Sequence, residues 1–344
     1  MDTMTALIPE KNKKPGVCYA YSDDGFELPV IDITHPAFTY AVTSQEVSTM
    51  IDDYIRSLPK LPHAVIKQLA ANSILLRGAV ESAGTYMSGM MTYLNKLGPD
   101  MLGDAYATAL DKRVAAGIMQ LSFRLRMQAV ARLAADGLGA ALKARPNVPV
   151  HLINIAGGPA IDSLNALILL QKEHPEWLTG RSITVHVLDL DHNGPAFGAR
   201  ALAALRAAGG PLHGLDVRFD AIDYDWANPA LLRELCAGIG REAAVVGSTE
   251  GGLFEFASND QIVANLQVLH DWTPADFVIA GPVVRDGESI DPRLKVMEGI
   301  EGRPGIRFLG LAAFSQLAAQ AGWTIVRQID NNNPIHDVVC LKKA

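Results

Sequence analysis

The order of strand-like and helix-like segments in the second half of the chain is the feature that most restricts its fold. After Pro146, five short runs rich in β-branched residues alternate with segments long enough for helices, at 148–156, 183–190, 215–222, 243–248 and 276–284. This alternation predicts βαβ units and a parallel sheet. Two further runs, 322–329 and 336–343, are separated by a segment too short for a crossover helix. The sequence therefore predicts an α/β fold, a doubly wound seven-stranded sheet that ends in an antiparallel hairpin.

The first half of the chain has the periodicity of helices instead. Amphipathic segments occupy 44–58 and 111–138, and in the second of these apolar residues recur at three- and four-residue spacing. Arg124 falls outside that apolar stripe and is assigned to a solvated face, while Gly137 and Gly139 are read as helix stops. We expect an all-α cap over 1–145 and a sheet domain over 146–344.

Composition and charge restrict the compartment and the partner. The 344 residues are 49% hydrophobic and carry a net charge of −7, so no basic field is available for nucleic acid or anionic lipid. Three widely spaced cysteines are expected to be reduced, and we expect no metal. The first residues lack the order of a signal peptide, and the apolar runs are shorter than the ~20 residues that span a bilayer. These features predict a cytoplasmic protein with a small-molecule partner and no membrane or nucleic-acid partner.

Five parallel strands, a helix ending in Ala321-Gly322 and a terminal hairpin resemble the class I S-adenosylmethionine (SAM)-dependent methyltransferases. A nicotinamide-binding Rossmann domain would instead continue with a sixth parallel strand. The resemblance covers about 147–344 and implies SAM as co-substrate. The helical half resembles the variable caps of such enzymes and would cover the site as a lid.

The first motif of that family is an acidic residue followed by three glycines at alternate positions. Asn154, Ala156, Gly158 and Ala160 occupy the corresponding positions. A turn without bulky side chains lets the backbone approach a ligand, so Ala156, Gly157 and Gly158 are expected to contact SAM. Asn154 replaces the carboxylate that the family uses for the methionine amino group, and its carbonyl could accept the same hydrogen bond without the charge. A purely structural turn is the alternative.

The resemblance places the nucleoside part of SAM after the next two strands. Asp189 follows the second strand and is expected to accept hydrogen bonds from the ribose hydroxyls, with Asp191 as the competing register. Asp223 and Tyr224 follow the third strand and are expected at the adenine amino group and ring face. The other face of the adenine is assigned to Leu190.

The loop after the fourth strand, 248–256, combines two carboxylates, two hydroxyls, a Gly-Gly pair and two aromatic rings. Methyl transfer needs an in-line approach of the acceptor and a destination for its proton. Glu250 is the candidate base or acceptor-orienting group, with a solvated loop glutamate as the alternative. Ser248 is assigned to SAM, and three residues are assigned to the acceptor: Thr249, Phe254 and Glu255, the last of which could instead cap the following helix.

Two further segments bear on the acceptor site. The segment 84–93 is rich in Met and Tyr, which suits either an adaptable pocket or a helix core, and Tyr86 is its candidate pocket residue. His270 lies in a Leu-His-Asp-Trp string similar to the catalytic string of plant-type O-methyltransferases. Because a whole helix separates it from the fourth strand, we expect a structural histidine at a helix terminus.

These features together predict a SAM-dependent methyltransferase that modifies an oxygen or nitrogen of a small metabolite. The first alternative is a SAM-using enzyme without methyl transfer, a lyase, cyclase or aminocarboxypropyl transferase on the same fold. A SAM-binding protein without turnover and a nicotinamide oxidoreductase are the remaining ones. A homodimer through the cap is compatible with its apolar helices.

Overall fold

The computed structural model describes residues 12–57, 63–82, 85–297 and 306–344. The first half contains a short strand pair followed by six helices: β1 (Tyr19–Tyr21), β2 (Glu27–Pro29), α1 (Ser44–Ser57), α2 (His63–Ala70), α3 (Ile74–Glu81), α4 (Gly89–Lys96), α5 (Ala109–Ala115) and α6 (Ile118–Ala144). The β1–β2 pair is antiparallel and lies within 1–145, so the prediction of an all-α first half is wrong at this point.

The second half alternates strands and helices as predicted. Its elements are β3 (Val150–Ile155), α7 (Ile161–Glu173), β4 (Ser182–Asp189), α8 (Asn193–Arg206), β5 (Asp216–Asp223), α9 (Ala230–Ile239), β6 (Ala244–Ser248), α10 (Leu253–Phe256), α11 (Asn259–Trp272), β7 (Val278–Val284), α12 (Leu311–Gln320), β8 (Trp323–Ile329) and β9 (His336–Lys343).

The seven strands form one sheet in the order β5-β4-β3-β6-β7-β9-β8. The first five are parallel, and β9 inserts antiparallel between β7 and β8. This is the strand order of the class I methyltransferase fold, and it confirms the predicted fold class. The order reverses beside β3, so a crevice opens between the carboxyl ends of β3, β4 and β6, where such sheets bind ligands.

Helix α6 continues through both glycines that the sequence indicated as stops. It packs against α7 and against β6, β7 and β9. A Cβ on Gly137 would lie 2.3 Å from Val278 Cγ2, and one on Gly139 would lie 2.9 Å from the Trp177 ring. The glycines therefore permit close contact between α6 and its neighbours. Because α6 lies on the sheet, its packing joins the two halves, and the domain boundary near residue 146 stays a prediction.

Two large hydrophobic clusters lie on the opposite faces of the sheet. One is shared by α6, α7, α8 and the first half of the chain, and the other by α9, α11 and α12. Cys18, Cys236 and Cys340 are free thiols. Across the described residues no helix combines the length and apolarity needed to span a bilayer.

Candidate functional site

A cavity of about 270 Å³ lies at the carboxyl edge of the sheet, beneath the segment that leads into α4. The loops after β3, β4, β5 and β6 and the first turn of α4 form its walls. The lining residues are Tyr86, Met87, Ser88, Gly89 and Thr92 from the cap, and Ala156, Gly157, Gly158, Asp189, Leu190, Asp191, Trp226, Glu250, Gly251, Gly252 and Phe256 from the sheet side.

The turn after β3 has a left-handed backbone at alternate positions. The φ angles are +55° at Ala156, +56° at Gly158 and +52° at Ala160. Glycine adopts this conformation without cost, whereas alanine is strained in it by about 1–2 kcal/mol. The turn thus has the alternate-glycine geometry predicted from the sequence, although alanine occupies two of its three positions.

The first residue of α4 contacts this turn through backbone atoms. A Cβ on Gly158 would lie 2.7 Å from Gly89 Cα, and one on Gly194 would lie 3.0 Å from Gly158 Cα. The first residues of α4 and α8 and the turn after β3 therefore meet where no side chain separates them. Any Cβ at Gly89 or Gly158 would displace the cap from the sheet.

Asp189 and Asp191 have different partners. Asp189 accepts hydrogen bonds from Gly158 N at 2.8 Å and from Asp191 N at 2.9 Å, and burial raises the pKa of its carboxyl group. Asp191 accepts from Gly89 N at 2.7 Å, at the first residue of α4. Asp189 is thus fixed against the glycine turn, while Asp191 holds the N-terminus of the cap helix. Both line the cavity.

Asn154 lies beneath the turn and does not line the cavity. A Cβ on Gly157 would lie 2.1 Å from Asn154 Oδ1. The Asn154 amide donates to Asp162 at 2.8 Å and to Ser163 and Ser248 at 3.1 Å each. Ser248 is therefore a partner of Asn154 in the layer below the cavity rather than a cavity residue.

Two acceptor atoms in this buried layer have no hydrogen-bond partner, Asn154 Oδ1 and Asp162 Oδ2. Burial, with the charge of Glu250, raises the pKa of Asp162 to about 6. The sequence interpretation missed Asp162, which resembled an ordinary acidic residue in the first turn of a helix. Asn154 stands where the family has a carboxylate, and Asp162 places a carboxyl group beside it.

Of the residues that the sequence assigned to the adenine, the structure brings Leu190 to the cavity but not Tyr224 or Asp223. Tyr224 is buried and its hydroxyl is hydrogen-bonded to Asn265, so the ring belongs to the core between β5 and α11. Trp226, two residues later, lines the cavity in its place. The sequence indicated an aromatic residue just after the third strand. The predicted residue, Tyr224, lies two positions before the one that lines the cavity, Trp226.

Glu250 lines the cavity yet is only 2% exposed. Arg126 Nε donates to its Oε1 at 2.8 Å, and Lys96 is ion-paired with its Oε2. It is therefore neither the solvated glutamate of the alternative interpretation nor a carboxylate with free oxygens. It connects α4 of the cap and α6 to the sheet edge.

The ion-pair network continues beyond Glu250 into the interior. Arg126 Nη1 donates to Glu255 at 2.6 Å, and His336 Nε2 lies 3.1 Å from the same carboxylate. Burial opposes the charge of Glu255, but the ion pair with Arg126 lowers its pKa to about 2. Burial lowers the pKa of His336, which favours a neutral imidazole. Two cations, Lys96 and Arg126, thus balance two carboxylates.

Three residues assigned to the acceptor do not line the cavity. Thr249 Oγ1 accepts a hydrogen bond from Leu253 N at 3.0 Å and is fully buried. Phe254 packs against Phe314 with ring centroids 4.6 Å apart, and Glu255 belongs to the network described above. Phe254 and Glu255 face inward because they lie in α10, which begins directly after Gly252.

Tyr86, by contrast, is brought to the cavity. Its ring is 52% exposed and stands edge-on between Trp226 and Phe256, at centroid distances of 5.4 and 5.5 Å. These three rings form an aromatic rim. His270 lies at the end of α11 against Asp271 and Trp323, away from the cavity, as predicted.

Lys96 and Arg126 are two further residues that the sequence did not indicate, besides Asp162. Each is a basic residue within an amphipathic helix, which locally looks like any solvated cation. Only the packing of α4 and α6 against the sheet edge buries them. Within the described ranges, no three His, Cys, Asp or Glu side chains are grouped so as to hold a metal ion.

No family model and no curated protein sequence matches the chain. Among solved structures, the chain is 14% identical to the mitomycin 7-O-methyltransferase MmcR, covering 88% of this chain and 74% of that one, with a TM-score of 0.42. It is 12% identical to magnesium protoporphyrin IX methyltransferase from Synechocystis PCC 6803, covering 67% and 89%, with a TM-score of 0.43.

LepI in complex with SAM is 17% identical over 60% of this chain, with a TM-score of 0.40, and the chain spans 46% of its length. At such low values these likenesses carry no functional argument. The functional argument therefore rests on the cavity itself.

Proposed function

We propose that the chain is a SAM-dependent methyltransferase that transfers a methyl group to an oxygen or nitrogen atom of a small molecule, with residues 1–145 as its cap. One observation carries the proposal. A cavity at the carboxyl edge of a doubly wound sheet lies between a left-handed glycine turn and the Asp189 carboxylate, and a helical segment covers it.

The lining residues fit the parts of SAM. The turn 156–158 would lie against the methionine moiety, and Asp189 would accept hydrogen bonds from the ribose hydroxyls. Trp226 and Leu190 offer apolar surface for the adenine ring. Beneath the turn, the unpartnered oxygens of Asn154 and Asp162 provide negative potential toward the amino group.

The acceptor would enter from the cap side, between Tyr86, Met87 and Phe256. SAM would supply an electrophilic methyl group and leave as S-adenosylhomocysteine, and the acceptor atom would release its proton to solvent when the new bond forms. Both oxygens of Glu250 are ion-paired, so we assign it to orienting the acceptor rather than to removing that proton. The small cavity and the net charge of −7 support a small molecule rather than a nucleic acid.

The two ion pairs of Glu250 also favour a second candidate function, that of a SAM-using enzyme without methyl transfer. Asp189 and Glu250 line the cavity with their carboxylate oxygens already hydrogen-bonded or ion-paired. A reaction that needs no external base would suit such a lining. Product analysis separates the candidates, because S-adenosylhomocysteine (SAH) indicates methyl transfer and methylthioadenosine indicates attack on the side chain.

The binding of SAM is tested by titration calorimetry with SAH. We expect Asp189→Ala to raise the Kd at least about tenfold, since it removes charge-assisted hydrogen bonds to the ribose. Asp216→Ala is the matched control, because Asp216 is an exposed carboxylate at the opposite end of neighbouring β5. Equal affinities of the two variants would contradict the assigned site.

A further inference from the structure

A second cavity, of about 410 Å³, lies between residues 14–40, here called the N-terminal arm, the turn at Pro99–Met101 and α6. It shares no lining residue with the cavity at the sheet edge. Its polar lining consists of Lys14, Thr39, Tyr40, Asp100 and Arg124. Its volume is in the range of about 300–1,000 Å³ that is typical of ligand sites.

Arg124 is the unusual group of this cavity. The sequence assigned it to a solvated face, but its side chain is 3% exposed because α6 is covered on nearly every side. Nη1 donates to Ala115 O at 2.9 Å, whereas Nε is buried and has no hydrogen-bond partner. Across the described parts of the chain, no carboxylate lies within ion-pair distance of this guanidinium.

The neighbouring Tyr40 compensates for only part of this charge. The guanidinium carbon lies 4.7 Å from the centre of the Tyr40 ring, a cation–π contact. A ring face attracts the charge but accepts no strong hydrogen bond, so the Nε–H stays unsatisfied. Buried guanidinium groups are ordinarily paired with an anion. Burial also lowers the pKa of Arg124.

Arg126, two residues further along α6, is a buried guanidinium that does have anionic partners. Its guanidinium meets two carboxylates, Glu250 and Glu255, and its burial is fully compensated by charge. Arg124 is equally buried, but it has no carboxylate partner among the described residues. It faces a cavity whose other charged groups are the exposed Lys14 and the exposed Asp100.

We propose that this cavity binds a small molecule bearing an oxyanion, a carboxylate or a phosphate, with Arg124 as its anchor. The planar guanidinium is suited to bidentate binding of such groups. Lys14 adds a second positive charge, so the cations outnumber the single carboxylate of Asp100. The proposal does not depend on the function assigned to the first cavity.

The test is calorimetric titration of the full chain with inorganic phosphate and with acetate, at constant ionic strength set by chloride. We expect saturable binding of at least one of the two anions. The anion with the lower Kd identifies the oxyanion class. Arg124→Met should weaken this binding at least about tenfold, the loss expected for a charged hydrogen-bonding anchor. Arg132→Met, at a partly exposed position of α6, should leave it unchanged.

Lys14→Gln provides a second test that does not depend on a buried substitution. Lys14 is exposed, so its replacement leaves the fold intact and should weaken binding about two- to fivefold through lost charge attraction. Absence of saturable binding of both anions to the wild type would overturn the proposal. Binding that survives both Arg124→Met and Lys14→Gln would overturn it as well.

Discussion

The two walls of the sheet-edge cavity are built differently. The sheet wall consists of loop backbone fixed by the sheet itself, with the turn after β3 and Asp189 as its main parts. The cap wall consists of side chains from 86–92, and it is held by Asp191 at Gly89 and by Lys96 at Glu250. Under the proposed function, the sheet wall would bind SAM and the cap wall would determine the acceptor.

The largest effect is expected where α6 joins the two walls. Arg126→Met leaves Glu255 buried without its guanidinium and Glu250 with Lys96 alone. Removing one partner of a buried pair costs about 3–5 kcal/mol, so the free energy of unfolding should fall by that amount. Urea denaturation measures it.

Arg132→Met is the control on the same helix. Its ion pairs with Asp136 and Glu173 are partly exposed, and such pairs contribute roughly 0–1 kcal/mol. A similar loss in both variants would show that the network does not hold the walls together.

A smaller effect is expected from Lys96→Met, which detaches the cap wall alone. Loss of a buried charged hydrogen bond should cost about 1–3 kcal/mol. Hydrogen exchange should become faster in α4 and stay unchanged in β3 and β4. Lys112→Met is the control, since Lys112 pairs with Asp104 at the surface. Faster exchange throughout the sheet would argue against a separately held cap.

The sheet wall could be predicted from the sequence, whereas the residues that hold the cap wall could not. The strands of the sheet wall are short β-branched runs bounded by turns, and their chain order determines which loops meet at the carboxyl edge. Asp189 and the turn could therefore be located in advance. Lys96 and Arg126 could not, because helical periodicity gives no sign of which tertiary surface a basic residue meets.

Two errors on α6 have the same origin. Gly137 was interpreted as a stop from local propensity, but its missing side chain makes room for Val278 on β7. Arg124 was interpreted as solvated because it lies off the apolar stripe, yet the N-terminal arm covers that side of the helix. Contacts between residues far apart in sequence override local patterns in both cases.

The sheet wall is also expected to respond to pH through Asp162. Burial raises its pKa to about 6, above the ordinary 3.8, so folding favours the protonated form. That contribution is complete below about pH 4 and is lost as the pH rises through about 6. The free energy of unfolding of Asp162→Asn, relative to wild type, should therefore increase between pH 4 and 7.5. A constant difference between the two proteins would contradict the buried carboxyl group.

The smallest effect concerns the left-handed alanines of the turn. Ala156→Gly relieves strain of about 1–2 kcal/mol but costs roughly 0.5–1 kcal/mol in chain entropy, so it should stabilise the fold by up to about 1.5 kcal/mol. Ala140→Gly, in the exposed interior of α6, should instead destabilise by about 1 kcal/mol. Thermal unfolding distinguishes the signs, and a loss in both variants would contradict the strained turn.

The most direct test of the proposed function is a crystal structure of the protein with SAH. We expect the ligand in the cavity, with its ribose hydroxyls within roughly 3 Å of the Asp189 carboxylate and its sulfur toward the cap wall. A ligand bound elsewhere, or none at saturating SAH, would contradict the assignment of this cavity to SAM.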